Sequence, residues 1–104
     1  MYQLTFLKPA LREWKKLSPE LKVQFKKKLT ERLVTPRMPK AQLSSMKDCY
    51  KIKLRDSGYR LVYKVINERV VVQVIAIGKR DKSTIYDIAI DRLQAGGHLV
   101  ETTE

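Results

Sequence analysis

The most suggestive chemistry in this sequence is a set of basic side chains that alternate with apolar ones. Lys51 and Lys53 occupy every second position of one such run, and Arg60 lies in the next run, beyond a short turn. Pairing the two runs as a hairpin sets Lys53 directly opposite Arg60, on the face away from the core. Like charges so placed destabilise a hairpin, whereas a bound phosphate would offset their repulsion. An alternative is that the lysines only protect an exposed sheet surface from aggregation.

More basic residues follow a later apolar segment, which is expected to pair with the second run. They are Lys79, Arg80 and Lys82, and their position favours an anion site over a purely protective role. Other chemistries find little support, because the single histidine, His98, lies near the chain end and Cys49 is the only cysteine. No Cys/His or paired acidic cluster has metal-ligand spacing, and no glycine-rich phosphate loop is present. We therefore expect neither a metal nor a cofactor.

The net charge also favours a polyanionic partner. The 104 residues include 22 Lys and Arg against 11 Asp and Glu, a formal charge of +11 at pH 7. Such self-repulsion is typical of proteins that bind nucleic acid, and it predicts salt-dependent association. A basic surface that serves only solubility is the alternative. No apolar run resembles a signal peptide or a membrane span, and a lone cysteine fits a reducing compartment, so we expect a cytoplasmic protein.

Hydrophobic periodicity predicts the elements that must position these residues. We expect one α+β domain, with an antiparallel sheet of about four strands, two N-terminal helices packed on it and a C-terminal helix. Strands are predicted at 2–6, 49–54, 59–65 and 70–77, and helices at 7–17, from Pro19 to the residues before Pro36, and from a Ser83 cap to residue 93. The domain is placed at residues 1–93 and a loose tail at 94–104.

The apolar faces of the second and third strands fix their predicted register. Asp56-Ser57-Gly58 forms the turn, and a common core side requires three apolar pairs, Tyr50 with Tyr63, Ile52 with Leu61 and Leu54 with Tyr59. The second helix begins with Ser18 as N-cap and Pro19 at its first position. Trp14 is assigned to the core.

Several motifs together resemble one known family. They are Lys51-x-Lys53-x-Arg55, the run Asp56-Ser57-Gly58-Tyr59-Arg60-Leu61-Val62-Tyr63, then Ile77-Gly78-Lys79-Arg80, Tyr86, and Glu13-Trp14-Lys15-Lys16-Leu17. This pattern is similar to the RelE-type toxins of bacterial toxin–antitoxin pairs, in the RelE/ParE superfamily. The resemblance covers residues 1 to 93, and the residues from Gln94 onward extend past the usual end of the family.

The resemblance implies an endoribonuclease that enters the ribosomal A site and cuts the messenger without a metal, so inhibiting translation. An acidic, RelB-like antitoxin holds it silent. The catalytic positions that match the family are Lys51, Lys53, Arg60, Arg80 and Tyr86. The expected products carry a 2′,3′-cyclic phosphate and a 5′-hydroxyl.

The side chains suit that chemistry. Metal-free RNA cleavage needs a base for the 2′-hydroxyl, cations on the phosphate and an acid for the departing oxygen. Lys53 among other cations has its charged form disfavoured and is one candidate base, and Tyr86 is the other. Lys51 and Arg60 fit the phosphate clamps. Arg80 is assigned as proton donor on the resemblance alone, since free arginine is a very weak acid.

Other basic residues are predicted to bind RNA backbone, and they are Lys22, Lys26, Lys27, Arg55, Lys79 and Lys82. Tyr86 has two alternative roles, in helix packing or in stacking on a base. Two other functions stay open for the whole chain. One is a toxin of the same fold that poisons DNA gyrase, as ParE-type proteins do, and the other is a basic RNA-binding module without activity.

Overall fold

The structure, a computed structural model, describes residues 1–79, 84–95 and 101–102. The strands are β1 (Gln3–Leu7), β2 (Cys49–Leu54), β3 (Tyr59–Ile66), β4 (Val71–Lys79) and β5 (Glu101–Thr102), and the helices are α1 (Lys8–Lys15), α2 (Pro19–Val34) and α3 (Thr84–Gln94). The fold is therefore α+β, as predicted. The proposed Ser83 cap of the last helix lies outside the described residues.

The sheet is mixed, so the prediction of an antiparallel sheet is wrong in one pairing. The strand order is β2-β3-β4-β1-β5, with β2, β3 and β4 antiparallel. Strand β1 runs parallel to β4, with Gln3 beside Val71 and Phe6 beside Val74. Periodicity identifies which residues of β1 face the core, but it carries no information about the direction of a neighbouring strand that lies far along the chain.

Part of the predicted tail is ordered in the sheet. Glu101 pairs with Leu7 and Thr102 with Phe6, in antiparallel orientation. A two-residue strand has no detectable period, which is why the sequence predicted a loose tail here. The boundary at residue 93 stays a prediction.

The predicted register of the β2–β3 hairpin is confirmed at every position. Ile52 pairs with Leu61 and Lys53 with Arg60. The reversal uses Gly58, whose φ of +76° suits a residue without a side chain, and the Gly58 N–H donates to the Leu54 carbonyl at 2.9 Å. The turn chemistry therefore fixes which basic residues oppose each other.

A bulge interrupts the pairing of β3 with β4. Val62 pairs with Ala76 and Tyr63 with Val74, so Ile75 has no partner of its own in β3. Bulges of this kind bend a strand and leave ladder groups to be satisfied elsewhere. The carbonyl of Ile75 accepts a hydrogen bond from Arg92 of α3 at 3.0 Å, which ties that helix to the bulge.

The helices bury their apolar sides against the sheet. The Ser18 side chain accepts from the Leu21 N–H at the start of α2, as the predicted N-cap requires. Trp14 is buried as predicted, with its ring centroid 5.6 Å from Phe6 and 6.5 Å from Phe25. This aromatic group joins β1, α1 and α2. Among the described residues, no helix has both the length and the apolar character needed to cross a membrane.

Candidate functional site

The predicted basic residues of the hairpin share one face of the sheet. Lys53 and Arg60 are direct partners, and Lys51 lies two residues before Lys53 in β2, so strand alternation puts its side chain on the same face. In β4 the residue opposite Arg60 is Gly78. The position beside Arg60 in β4 therefore carries no side chain.

Helix α3 brings Tyr86 to Arg60. The Arg60 Nη1 donates to the Tyr86 hydroxyl at 2.8 Å, and the guanidinium carbon lies 5.7 Å from the ring centroid. Gly78 permits this approach, because a Cβ there would lie 3.1 Å from the Cδ1 of Ile85, tighter than ordinary van der Waals contact. The structure thus joins two predicted catalytic residues that are far apart in sequence.

These side chains remain accessible to a ligand. Lys53 is exposed, while Lys51, Arg60 and Tyr86 are half-buried. A cleft of about 260 Å³ beside the hairpin turn is lined by Lys53, Arg55 and Arg60, together with Leu54 and Gly58. The predicted RNA-binding residue Arg55 therefore lies beside two predicted catalytic residues.

The structure separates the other predicted RNA-binding residues. Lys26 and Lys27 are exposed on α2 and Lys22 is half-buried there, while Lys79 is exposed at the end of β4. None of these four is among the described residues that line the clefts beside β2. Arg80 and Lys82 lie outside the described residues.

Sequence reasoning did not identify Arg32 as a site residue. Arg32 is half-buried, and its Nη1 donates to the Tyr63 hydroxyl at 2.8 Å and to the Lys51 carbonyl at 3.2 Å. The Tyr63 hydroxyl donates in turn to the Pro36 carbonyl at 2.6 Å. The sequence did contain one signal for this contact. Residue 32 follows the buried Leu29 by three positions, so it lies beside the buried side of α2.

Burial shapes the acid–base behaviour of this region. It raises the pKa of the Tyr63 hydroxyl, against the opposing effect of Arg32, so the phenol stays protonated and can donate to Pro36. Burial also raises the pKa of Cys49 to about 11, which keeps that thiol neutral and unreactive near pH 7. Cys49 is thus a structural residue, as a cysteine without a neighbouring base should be.

Sequence reasoning also missed an ion pair that holds α3 against the sheet. Arg92 contacts both carboxylate oxygens of Glu13, at 2.7 Å and 3.0 Å, and Glu13 also accepts from the Ile77 N–H at 3.0 Å. This bidentate pair links α1, α3 and the bulged part of β4. Within the ranges that the structure describes, no three His, Cys, Asp or Glu side chains form a potential metal site.

Known proteins share the fold and about half of the sequence. A model of the family described as ParE toxin of type II toxin–antitoxin systems matches residues 4–84. The mRNA interferase toxin RelE of Escherichia coli (strain K12) is 54% identical over 92 residues, which cover 88% of this chain and 97% of the relative. The chain belongs to this toxin family, and within it to the RelE-type toxins.

Solved structures agree with that assignment. A mutant form of the E. coli toxin RelE in the free state superposes with a TM-score of 0.82 at 53% identity, covering 88% of this chain and 97% of the other. The toxin chain of the intact E. coli RelBE toxin–antitoxin complex gives 0.76 at 55% identity, with coverages of 79% and 100%.

Proposed function

We propose that this protein cuts messenger RNA on the ribosome and that an acidic antitoxin silences it. The E. coli relative is named an mRNA interferase, and the matched RelBE structure is a toxin–antitoxin complex. The formal charge of +11 complements both an acidic protein and RNA. Its place of action is the cytoplasm, where ribosomes translate.

The observation that carries this proposal is the pairing of Lys53 with Arg60, beside the hydrogen bond from Arg60 to Tyr86. In the proposed reaction the 2′-oxygen of the RNA loses its proton and bonds to the adjacent phosphorus. The bond from phosphorus to the 5′-oxygen breaks, and that oxygen takes up a proton. The products carry a 2′,3′-cyclic phosphate and a 5′-hydroxyl.

Each side chain has a proposed role in that step. Lys51 and Arg60 neutralise the phosphate as negative charge develops on it. Lys53 or Tyr86 accepts the proton of the 2′-hydroxyl, and Arg80 supplies the proton for the departing oxygen. Because lysine and arginine are weak acids and poor bases at neutral pH, the ribosome must contribute by aligning the 2′-hydroxyl with the phosphorus. Comparable rates with and without ribosomes would argue against that dependence.

Substitution of the central cation tests the site. We expect Lys53→Ala and Arg80→Ala to reduce cleavage of a defined messenger on purified ribosomes by at least about 10²-fold, since each removes a preorganised group. The control is Lys8→Ala, which removes one exposed positive charge outside the site. Circular dichroism should show the same fold for all three variants. Cleavage at the wild-type rate by both site variants would show that the assignment is wrong.

A gyrase poison is the second candidate, and the match to a ParE toxin family model favours testing it. Mapping of messenger 5′ ends after brief expression separates the two functions. An interferase creates new ends within translated regions. A gyrase poison leaves those ends unchanged and breaks DNA.

A further inference from the structure

A second cleft, of about 330 Å³, lies between α2 and the outer edge of β2. Its basic lining consists of Lys28, Arg32, Lys40, Lys51, Lys53 and Arg55, with Met38 and Ala41 as its apolar part. Three of these basic residues, Lys28, Arg32 and Lys40, belong to neither the predicted catalytic set nor the predicted RNA-binding set. The cleft therefore calls for an explanation beyond the reaction itself.

The charge of this cleft is of one sign. Six of its lining residues are lysine or arginine, and no acidic side chain among the described residues lines it. Cations gathered around one concave surface repel each other, and the same arrangement attracts and concentrates an anion. One of them is already oriented, because Tyr63 and the Lys51 carbonyl hold the Arg32 guanidinium. A guanidinium has five N–H donors, more than these two contacts use.

The cleft is continuous with the candidate catalytic site. Lys53 and Arg55 line both this cleft and the smaller one that contains Arg60. An extended polyanion can therefore pass from Arg60 around the edge of β2 to Lys28 and Lys40 without leaving basic side chains. A single RNA strand is flexible and carries one phosphate per nucleotide, and basic grooves that track its backbone are a common way of binding it.

We propose that the α2–β2 cleft binds backbone phosphates of the messenger next to the cleaved bond, with Lys28 and Lys40 as phosphate contacts. This inference rests on the proposed function, because it takes the strand at Arg60 to be the substrate. Contacts to phosphate fix the register of a strand without reading its bases. The cleft thus positions the messenger and leaves the choice of codon to other contacts.

The test measures binding without cleavage. The probe is a short 2′-O-methyl oligoribonucleotide, which lacks the attacking hydroxyl, and fluorescence anisotropy gives its affinity over a series of salt concentrations. For single strands each neutralised phosphate contributes about 0.7 to the slope of log affinity against log salt. Replacing both lysines (Lys28→Ala with Lys40→Ala) should reduce the steepness by about 1.4. A dinucleotide that contains one phosphate should bind both proteins equally.

Two control variants separate local contacts from net charge. Lys8→Ala with Lys15→Ala removes the same charge from exposed positions of α1 and should keep the wild-type slope. Lys28→Arg with Lys40→Arg keeps the cations and should also keep it. Equal slopes for the Lys28/Lys40 alanine variant and the α1 variant would overturn the proposal. A wild-type protein that binds the oligonucleotide no better than the dinucleotide would also overturn it.

A further measurement distinguishes the messenger from ribosomal RNA as the occupant of the cleft. If the Lys28/Lys40 alanine variant binds the oligonucleotide like wild type but loses affinity for ribosomes without messenger, ribosomal RNA is the occupant and the proposal is wrong. The proposed function is tested separately, by the cleavage assay on programmed ribosomes. A protein that binds as expected and cuts nothing would refute the activity and leave the cleft intact.

Discussion

Arg60 illustrates how single side chains in this toxin are oriented before a ligand arrives. Its guanidinium donates to the Tyr86 hydroxyl, while Arg32 is held in the same manner by Tyr63. Each arginine is half-buried, and among the described residues its side chain pairs with a phenol rather than with a carboxylate, so no described acidic group neutralises its charge. Such charges can act on a phosphate without first reorganising.

The Tyr86 hydroxyl is the group whose removal best separates the possible roles of this residue. Tyr86→Phe keeps the ring for stacking and packing but removes both the acceptor of Arg60 and a candidate base. We expect cleavage on programmed ribosomes to slow by about 10²-fold. Tyr2→Phe is the matched control, because the Tyr2 hydroxyl donates to Asn67 in an exposed position, away from the described residues of the candidate site. A Tyr86→Phe protein with wild-type activity would show that Tyr86 acts through its ring, in stacking or in helix packing, and not through its hydroxyl.

At the scale of elements, α3 is held by polar contacts as well as by its apolar side. The Arg92–Glu13 pair satisfies two backbone groups of β4, the Ile75 carbonyl and the Ile77 N–H. These groups belong to the bulged segment, where the ladder to β3 is irregular. The pair therefore connects the position of α3, and with it Tyr86, to the strand beside the hairpin.

Breaking this pair should loosen α3. We expect Arg92→Ala to lower the free energy of unfolding by roughly 1–3 kcal/mol, because it leaves partly buried polar groups without partners. Urea denaturation measures this loss, and hydrogen exchange should show the amides of α3 less protected. Arg12→Ala, on the exposed side of α1, is the control and should change stability little. An unchanged stability of Arg92→Ala would mean that apolar packing alone holds the helix.

The sequence predicted those elements whose information is local. Alternation from Cys49 to Leu54, a turn with Gly58 and a second alternating run were sufficient for the whole β2–β3 register. The parallel neighbour of β1 was not predictable, because nothing near Gln3–Leu7 specifies a partner at 71–74. Arg92 and Glu13 were equally hidden, since each is an ordinary charged residue on its own helix and only the bulge at Ile75 gives their pairing a function.

The same distinction between local and long-range information applies within the candidate site. Lys51, Lys53 and Arg60 were found because strand alternation puts them on one face. Arg32 was not identified, because it is one of many basic residues of α2 and only its position beside Leu29 distinguishes it. The α2–β2 cleft depends on how far a helix lies from a strand edge, and no period in the sequence gives that distance.

At the scale of the whole molecule, the excess of positive charge should govern association with ribosomes. A Lys53→Ala protein, expected not to cut, allows equilibrium binding to be measured. Its affinity for programmed ribosomes should fall linearly on logarithmic axes as salt rises, by a slope of about 0.7–0.9 for each phosphate contacted. An affinity that does not change with salt would show that apolar contacts dominate binding.

The two edges of the sheet bear on how readily the protein aggregates. At one edge the two residues of β5 pair with Phe6 and Leu7 of β1. Along the other edge Gln42 bridges to Tyr50, and Arg32 donates to the Lys51 carbonyl. A bare strand edge invites another copy to add to it, and lysines on an edge discourage that addition. The basic side chains proposed to hold RNA therefore also oppose fibre growth. If the protein acts as proposed, once its antitoxin is gone, the same side chains keep the unpaired toxin from aggregating.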